Sequence, residues 1–338
     1  MISAEELKQI HLEASTAYGL MGLTTRQEPL PDKQSFEAID KAIEESDGKA
    51  IFNVGEFYGP DFNNLKLVRR YFTSYPHKRD RVIISCKGGM ENATLTPKGD
   101  YASMSNSIDT CLKEIGGPIE IFEPARIDVA LAGSNCYAAE TFDCIVDYIK
   151  KGKIGGISLS EVNAEQIRAI NSKYGEYLCC VEVELSLISR EILSNGVVDT
   201  CNELGIPVIC YSPLGRGLLS GAIKCFTDIP EGDFRQHFAR FQDDSLKQNL
   251  KVAQFLQDEI VSKRDDGITL SQAALAWIRS LNSKYPNTRL IPLPGGTTAS
   301  KVEQNYAIFE LTQEEIHKIE TFINNFEIRG GRVEHIKK

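Results

Sequence analysis

Apolar and polar positions along this chain follow two periods that take turns. Short runs rich in branched and aromatic side chains recur at 17–20, 50–54, 81–86, 119–123, 154–159, 179–185, 207–211 and 289–293. Each is bounded by turn residues and reads as a β-strand. Between them the spacing becomes helical. Met104, Ile108, Cys111, Leu112 and Ile115 fall at i, i+4, i+7, i+8 and i+11, and Gly116 ends the pattern. Phe142, Ile145, Val146 and Ile149 repeat it, with Gly152 just beyond. Ser3-Ala4-Glu5-Glu6 and Thr312-Gln313-Glu314-Glu315 are capping boxes, each opening a helix.

Strict alternation of strand and helix implies parallel strands joined by right-handed crossovers. Eight such units, at roughly 25–40 residues each, suit a closed (β/α)8 barrel of the TIM type, an α/β fold. A single domain is expected over 1–338. An open doubly wound sheet is the alternative, and it usually carries GxGxxG after its first strand. The stretch Tyr18-Gly19-Leu20-Met21-Gly22 lacks that motif. After the seventh strand comes a stretch from 215 to about 244, long enough for a lid over a site.

Composition narrows the function classes. A net charge of −9, from 47 acidic and 38 basic side chains, argues against a general affinity for nucleic acid or an anionic membrane. No run reaches the ~20 apolar residues of a membrane span, and the N-terminus has no charged-then-apolar leader, so a cytoplasmic location is expected. Nine cysteines are an odd number, and Cys86, Cys179, Cys180 and Cys210 sit in apolar runs, as buried reduced thiols do. With no CxxC, no HExxH and five scattered histidines, no metal site is expected.

In barrels of this kind the chemistry gathers at the C-terminal ends of the strands. The polar residues there are Glu56 and Tyr58, Lys87, Arg126 and Asp128, Ser160 and Glu161, Glu182 and Glu184, Tyr211 and Ser212. After the last strand comes Pro294-Gly295-Gly296-Thr297-Thr298. A Tyr or Lys at an arbitrary strand end is usually decorative, a glycine is usually a plain turn, and a lone lysine is usually a solvated helix face. The order and pairing of these residues argue otherwise.

Five segments carry a resemblance. They are Phe52-Asn53-Val54-Gly55-Glu56-Phe57-Tyr58-Gly59, Ile84-Ser85-Cys86-Lys87-Gly88-Gly89, Ile157-Ser158-Leu159-Ser160-Glu161-Val162, Tyr211-Ser212-Pro213-Leu214-Gly215-Arg216-Gly217, and the run from Pro294 to Asn305. Each is weak alone. In order, and each at a strand end, they make nearly the whole chain resemble the aldo-keto reductases, and the first segment looks most like the fungal pyridoxal reductases. That branch implies NADPH-linked reduction of pyridoxal to pyridoxine.

The resemblance implies four catalytic positions, Asp, Tyr, Lys and His. Tyr58 matches the proton donor and Lys87 the lysine. Asn53 stands where the aspartate is expected. Ala125, before Arg126-Ile127-Asp128, stands where the histidine is expected, and only His237 on the long loop is an outside candidate. A phenol with a pKa of about 10 is a slow donor at neutral pH, and a neighbouring ammonium is expected to bring it closer. General acid help is worth roughly 10²–10⁴ in rate. Glu123, Arg126 or a water are the candidates to replace the missing histidine.

The same resemblance implies an NADP(H) site. Thr297, Thr298 and Lys301, where the last loop enters a helix, match ligands of the adenosine 2′-phosphate, with Gln304 and Asn305 at the adenine. Anions are favoured at such helix starts. Ser212, Leu214, Gly215 and Arg216 match the pyrophosphate loop. Tyr211 matches the ring stacked on nicotinamide, and Ser160 and Glu161 the carboxamide contacts. Glu182 stands where glutamine is usual, and its carboxylate accepts from the carboxamide but cannot donate to it.

The expected function is therefore NADPH-dependent reduction of a small aldehyde, pyridoxal first, with no partner protein inferable. Two other enzyme readings are a general aldehyde reductase and a phosphate-binding barrel with lyase or isomerase chemistry, although the latter gives no role to Tyr58 with Lys87. A different class is a slow or non-catalytic cofactor-binding regulatory subunit of the same fold, which Asn53 and Ala125 keep open.

Overall fold

The computed structural model describes residues 1–332. Eight strands lie in one parallel sheet: β1 (Tyr18–Gly19), β2 (Ala50–Gly55), β3 (Val82–Gly88), β4 (Ile119–Pro124), β5 (Ile154–Ser160), β6 (Leu178–Glu184), β7 (Val208–Tyr211) and β8 (Leu290–Leu293). They neighbour one another in chain order. The sheet closes where the Ala17 and Gly19 amides donate to the Pro292 and Pro294 carbonyls, at 3.0 and 3.1 Å. It is a (β/α)8 barrel, and all eight sequence-based strands are present, the first shorter at both ends than its pattern suggests.

Alternation along each strand builds two cores. Ile51, Ile83, Ile121, Ile209 and Ile291 face inward and fill the lower barrel. Phe52, Val54, Val82, Ile84, Phe122, Ile157, Val181 and Val208 face outward and pack on the helices. Helix α1 (Ala4–Glu13), opened by the Ser3–Glu6 capping box, plugs the barrel floor with Ala4 and Leu7. Two glycines in β5 make room for it. A Cβ on Gly155 would lie 2.9 Å from the Ile2 carbonyl and from Leu7, and one on Gly156 would collide with the Cys179 sulfur. The helices at Tyr101–Ile115 and Ala139–Lys150 bury the expected faces, and Gly116 and Gly152 take positive φ past their ends.

The stretch after β7 is ordered by short 3-10 turns, at Gly215–Gly217, Phe226–Asp228, Phe234–His237 and Ala239–Phe241, before a helix at Asp243–Glu259. Ile223, Ile229, Phe238 and Phe241 are buried beneath it. A small antiparallel pair, Met90–Glu91 with Thr96–Pro97, follows β3 and was not legible in the sequence pattern. All nine cysteines are free, and seven are buried. Among the described residues no helix is long and apolar enough to cross a membrane, and no group of three or more metal-ligating side chains forms.

Candidate active site

Above the apolar floor, the same inward positions turn polar. Asn53 follows Ile51, Ser85 and Lys87 follow Ile83, Glu123 follows Ile121, and Glu182 comes from β6. All five are buried. Burying this many polar groups is tolerable only if they satisfy one another, and largely they do. The Asn53 amide donates from Nδ2 to Glu182 Oε2 at 2.7 Å, and Lys87 Nζ donates to Glu182 Oε1. The same ammonium lies 3.3 Å from Glu123 Oε1, and Ser85 Oγ donates to Glu123 Oε2 at 3.5 Å.

Tyr58 enters from the turn after β2. A Cβ on Gly55 would sit 2.9 Å from the Tyr58 ring, so glycine there lets the ring fold back over the strand end. Gly59 takes φ 97 and approaches the Thr24 carbonyl too closely for a side chain. Thr24 Oγ1 donates to the Tyr58 carbonyl at 2.8 Å. Fully buried Asn64 fastens the same turn, accepting from the Gly55 amide at 3.1 Å and donating to Leu20 and Thr24. The Tyr58 hydroxyl donates to Asn53 Oδ1 at 3.3 Å, and the Lys87 ammonium is close enough for its charge to act on the phenol. Tyr58, Asn53, Lys87 and Glu182 thus form one connected network.

The electrostatics differ from the simple expectation for a Tyr–Lys pair. Burial is the largest influence on the Tyr58 phenol and pushes it up to about 12; Lys87 opposes this, while Glu182 and Glu123 reinforce it. For Lys87, burial weakens the charged form, but Glu123, Glu182 and Tyr58 together hold it well above the ordinary lysine range. Burial, then the Glu123 charge, raises the Glu182 carboxyl above the usual carboxylate range, against the pull of Lys87. The ammonium is firm, and the phenol keeps its proton.

Beyond Lys87 the rim opens. Its Nζ lies 5.3 Å from the centre of the Tyr211 ring. The Tyr211 hydroxyl accepts from Arg332 Nη1 at 3.0 Å, and Arg332 also ion-pairs with Glu161 and with Glu184, the latter at 3.2 Å. Burial would raise the Glu161 carboxyl, but the Arg332 guanidinium holds it below the ordinary range. Sequence reasoning missed Arg332 entirely. It arrives on a C-terminal segment fastened by Asn249, which bonds both the amide and carbonyl of Arg329 at 2.9 and 2.8 Å. Nothing local in that polar segment announces such a contact.

The loop after β7 carries Ser212, Leu214, Gly215 and Arg216. Of six non-glycine residues with positive φ among the described residues, three are Glu161, Ser212 and Arg216, at 54°, 50° and 55°. Such backbone strain gathers at binding sites. Gly215 (φ 57) is packed against Ile188, where a Cβ would come within 2.6 Å. Arg216 lies 3.6 Å from Glu184. Ser160 is buried, with Arg126 Nη1 3.5 Å from its Oγ.

Thr297, Thr298 and Lys301 stand apart, where the Gly295-Gly296 turn enters the helix Ala299–Tyr306. Thr298 caps that helix by accepting from the Lys301 amide at 3.3 Å. Lys301 is exposed and makes no ion pair among the described residues. Gln304 is exposed, whereas Asn305 is turned inward and donates to the Gly295 carbonyl at 3.0 Å, shaping the turn. Tyr18 Oη bonds the Gly296 carbonyl from below.

Several expectations change. Both Glu182 oxygens are engaged within the barrel, so its first partners are Asn53 and Lys87 and not the rim. Glu56, one of the polar residues at the strand ends, points to the helix side of the wall and accepts from Ser107 Oγ at 2.5 Å. His237 is exposed on the long loop. Ala125 is buried, its amide donating to Gly88 at 3.0 Å.

Residues 16–324 match the aldo/keto reductase family. A Saccharomyces cerevisiae protein named "Putative pyridoxal reductase" is 50% identical over 98% of this chain and 99% of its own. A Schizosaccharomyces pombe protein, "Probable pyridoxal reductase 2", is 33% identical over 93% and 92%. Among solved structures, a glycerol dehydrogenase from Gluconobacter oxydans superposes with a TM-score of 0.73 at 18% identity, covering 95% of each chain. A thermostable aldo-keto reductase solved with the inhibitor epalrestat gives 0.65 at 19% identity, over 90% of this chain and 94% of its own. These two speak to the fold, and the sequence match to the family: this chain belongs to the aldo/keto reductases, a family of oxidoreductases.

Proposed function

We propose that the chain reduces aldehydes with NADPH, with pyridoxal, converted to pyridoxine, as its substrate. The observation that carries this reading is the Tyr58 hydroxyl held beside the Lys87 ammonium at the C-terminal mouth of the barrel. The similarity to two proteins named as pyridoxal reductases directs the choice of aldehyde.

The residues present fit a nicotinamide dinucleotide phosphate. Thr297, Thr298 and exposed Lys301 give hydroxyls, amides and a positive charge at a helix start. Ser212, Gly215 and Arg216, all at positive φ, form a loop whose backbone a pyrophosphate can approach. Gln304 and Leu214 complete the adenine and pyrophosphate ends, Asn305 acts there by holding the Gly295 turn, and Tyr211, Ser160 and Glu161 form the nicotinamide end. When bound, the cofactor supplies a hydride to the carbonyl carbon. Tyr58 gives its proton to the carbonyl oxygen as the C=O π pair moves there, and regains one from water. Lys87 offsets the charge left on the phenol. A phenol raised to about 12 is in its acid form throughout the neutral range, which suits reduction and disfavours the reverse reaction.

The test is purified protein with NADPH and pyridoxal, following loss of reduced nicotinamide and formation of pyridoxine. Turnover with a preference for NADPH over NADH is expected. Turnover of other aldehydes but not pyridoxal would leave a general aldehyde reductase. Tight cofactor binding without turnover of any aldehyde would point to the regulatory-subunit reading.

A further inference from the structure

The inner network contains a strut across the barrel. β2 and β6 lie four places apart in a closed ring of eight, on opposite sides. The bond from Asn53 Nδ2 to Glu182 Oε2 joins them at 2.7 Å. The two side chains divide the work by chemical type. Asn53 is neutral and two-faced, accepting from Tyr58 through Oδ1 while donating to Glu182 through Nδ2. Glu182 carries the charge and takes Lys87 on its other oxygen. A second carboxylate, Glu123, also lies beside Lys87, but at 3.3 Å, and its Oε1 makes no hydrogen bond. Glu182 therefore has both the closer hold on the ammonium and the only link in this network that leads on, through an amide, to the phenol.

We propose that Glu182 is the positioning residue of the Lys87–Tyr58 pair, acting with Asn53 as a carboxylate–amide pair that works in either orientation across the barrel. A carboxylate at 53 and an amide at 182 would keep one charge for Lys87, one acceptor for Tyr58 and one N–H···O bond across the strut. This rests on the catalytic reading of Tyr58 and Lys87, and deepens it.

The variants are Glu182→Gln, Glu123→Gln and the double exchange Asn53→Asp with Glu182→Gln, each nearly isosteric and each checked for folding by thermal denaturation. Glu182→Gln is expected to lower kcat for aldehyde reduction by ~10- to 100-fold, because the ammonium loses its anchor. KM for the aldehyde is expected to stay within a few-fold. The double exchange is expected to recover most of that loss, and Glu123→Gln to cost clearly less than Glu182→Gln.

The pH profile separates positioning from mere support. The groups facing Glu182 are Lys87, Glu123, Tyr58 and Asn53, with the Cys180 and Cys210 thiols close by. The Glu182 charge raises the Tyr58 phenol, so its removal should move the alkaline limb of reduction to lower pH, and the double exchange should move it back. Wild-type kcat in folded Glu182→Gln overturns the proposal, as does a folded double exchange without rescue, or an equal effect from Glu123→Gln. A Tyr58→Phe variant run alongside isolates the other failure. If it turns over normally, the catalytic reading falls, whatever Glu182 does.

Discussion

The phenolic hydroxyl of Tyr58 donates to Oδ1 of Asn53 across 3.3 Å, tying the candidate proton donor to the strand it has just left. Asn53 is itself braced against Glu182, so the hydroxyl is tied into the same network that holds Lys87, whose charge acts on the phenol. Replacing Tyr58 with Phe removes the proton and little else. Turnover should fall by at least ~10², with NADPH affinity nearly intact in a fluorescence titration. Near-wild-type turnover would take Tyr58 out of the mechanism.

The pH dependence follows from the phenol being held up to about 12. Reduction needs the protonated form, which predominates everywhere below that value. The rate of the chemical step should stay level from about pH 6 to about pH 9. Alcohol oxidation needs the phenolate and should rise with pH over the same interval. A reduction rate that halves between neutrality and the upper end of that interval would mean the donor is far more acidic than its surroundings imply.

Lys87 to Met strands two buried carboxylates. Turnover should drop by ~10² or more, and the free protein should lose about 3–5 kcal/mol near neutral pH. Without the ammonium, Glu182, whose carboxyl burial already raises, must take a proton to remain buried, which becomes easier as pH falls. The stability gap from wild type, read by chemical denaturation, should narrow toward acid. A gap that widens toward acid would contradict this.

At the far end of the proposed cofactor site, Lys301 is exposed and unpaired among the described residues, one turn into a helix capped by Thr298. Lys301→Ala should weaken NADPH binding by about one to two orders of magnitude and leave NADH nearly unchanged. Equal weakening of both in a binding titration would place the 2′-phosphate elsewhere.

A further prediction concerns the barrel floor. His11 on helix α1 is fully buried, its ring Nδ1 2.7 Å from the Leu7 carbonyl and its Nε2 without a partner. Burial lowers its pKa to about 4, against a partial rise from that carbonyl. A depressed histidine favours the neutral ring in the folded state. Stability is therefore complete above the unfolded value of about 6.5 and declines as pH falls toward 4, by about 3 kcal/mol in all. His11→Phe should flatten that part of the stability–pH curve, as followed by thermal melts. An unchanged slope would assign the acid loss to other groups.

The sequence by itself determined the barrel. Eight apolar runs separated by helical periods leave parallel strands and right-handed crossovers as the natural packing. It also marked Tyr58 and Lys87, because the strand-end segments that hold them resemble those of the aldo-keto reductases. Tertiary structure alone decided which side chains meet across the mouth. Asn53 and Glu182 are 129 residues apart and share no local pattern, yet closure of the ring puts them on opposite walls within 2.7 Å. From the chain alone Glu182 was expected at the cofactor rim, and Glu56 in the site. The inward or outward sense of one more residue, set by the strand's pleat and by where the strand stops, sent Glu182 to Lys87 and Glu56 to Ser107. Arg332 reaches Tyr211 only because the C-terminal segment returns over the long loop after β7 and is fastened there by Asn249. Local periodicity fixes where a residue lies on its own element. Contacts between distant elements are set by how those elements pack, and that includes the charges that tune Tyr58.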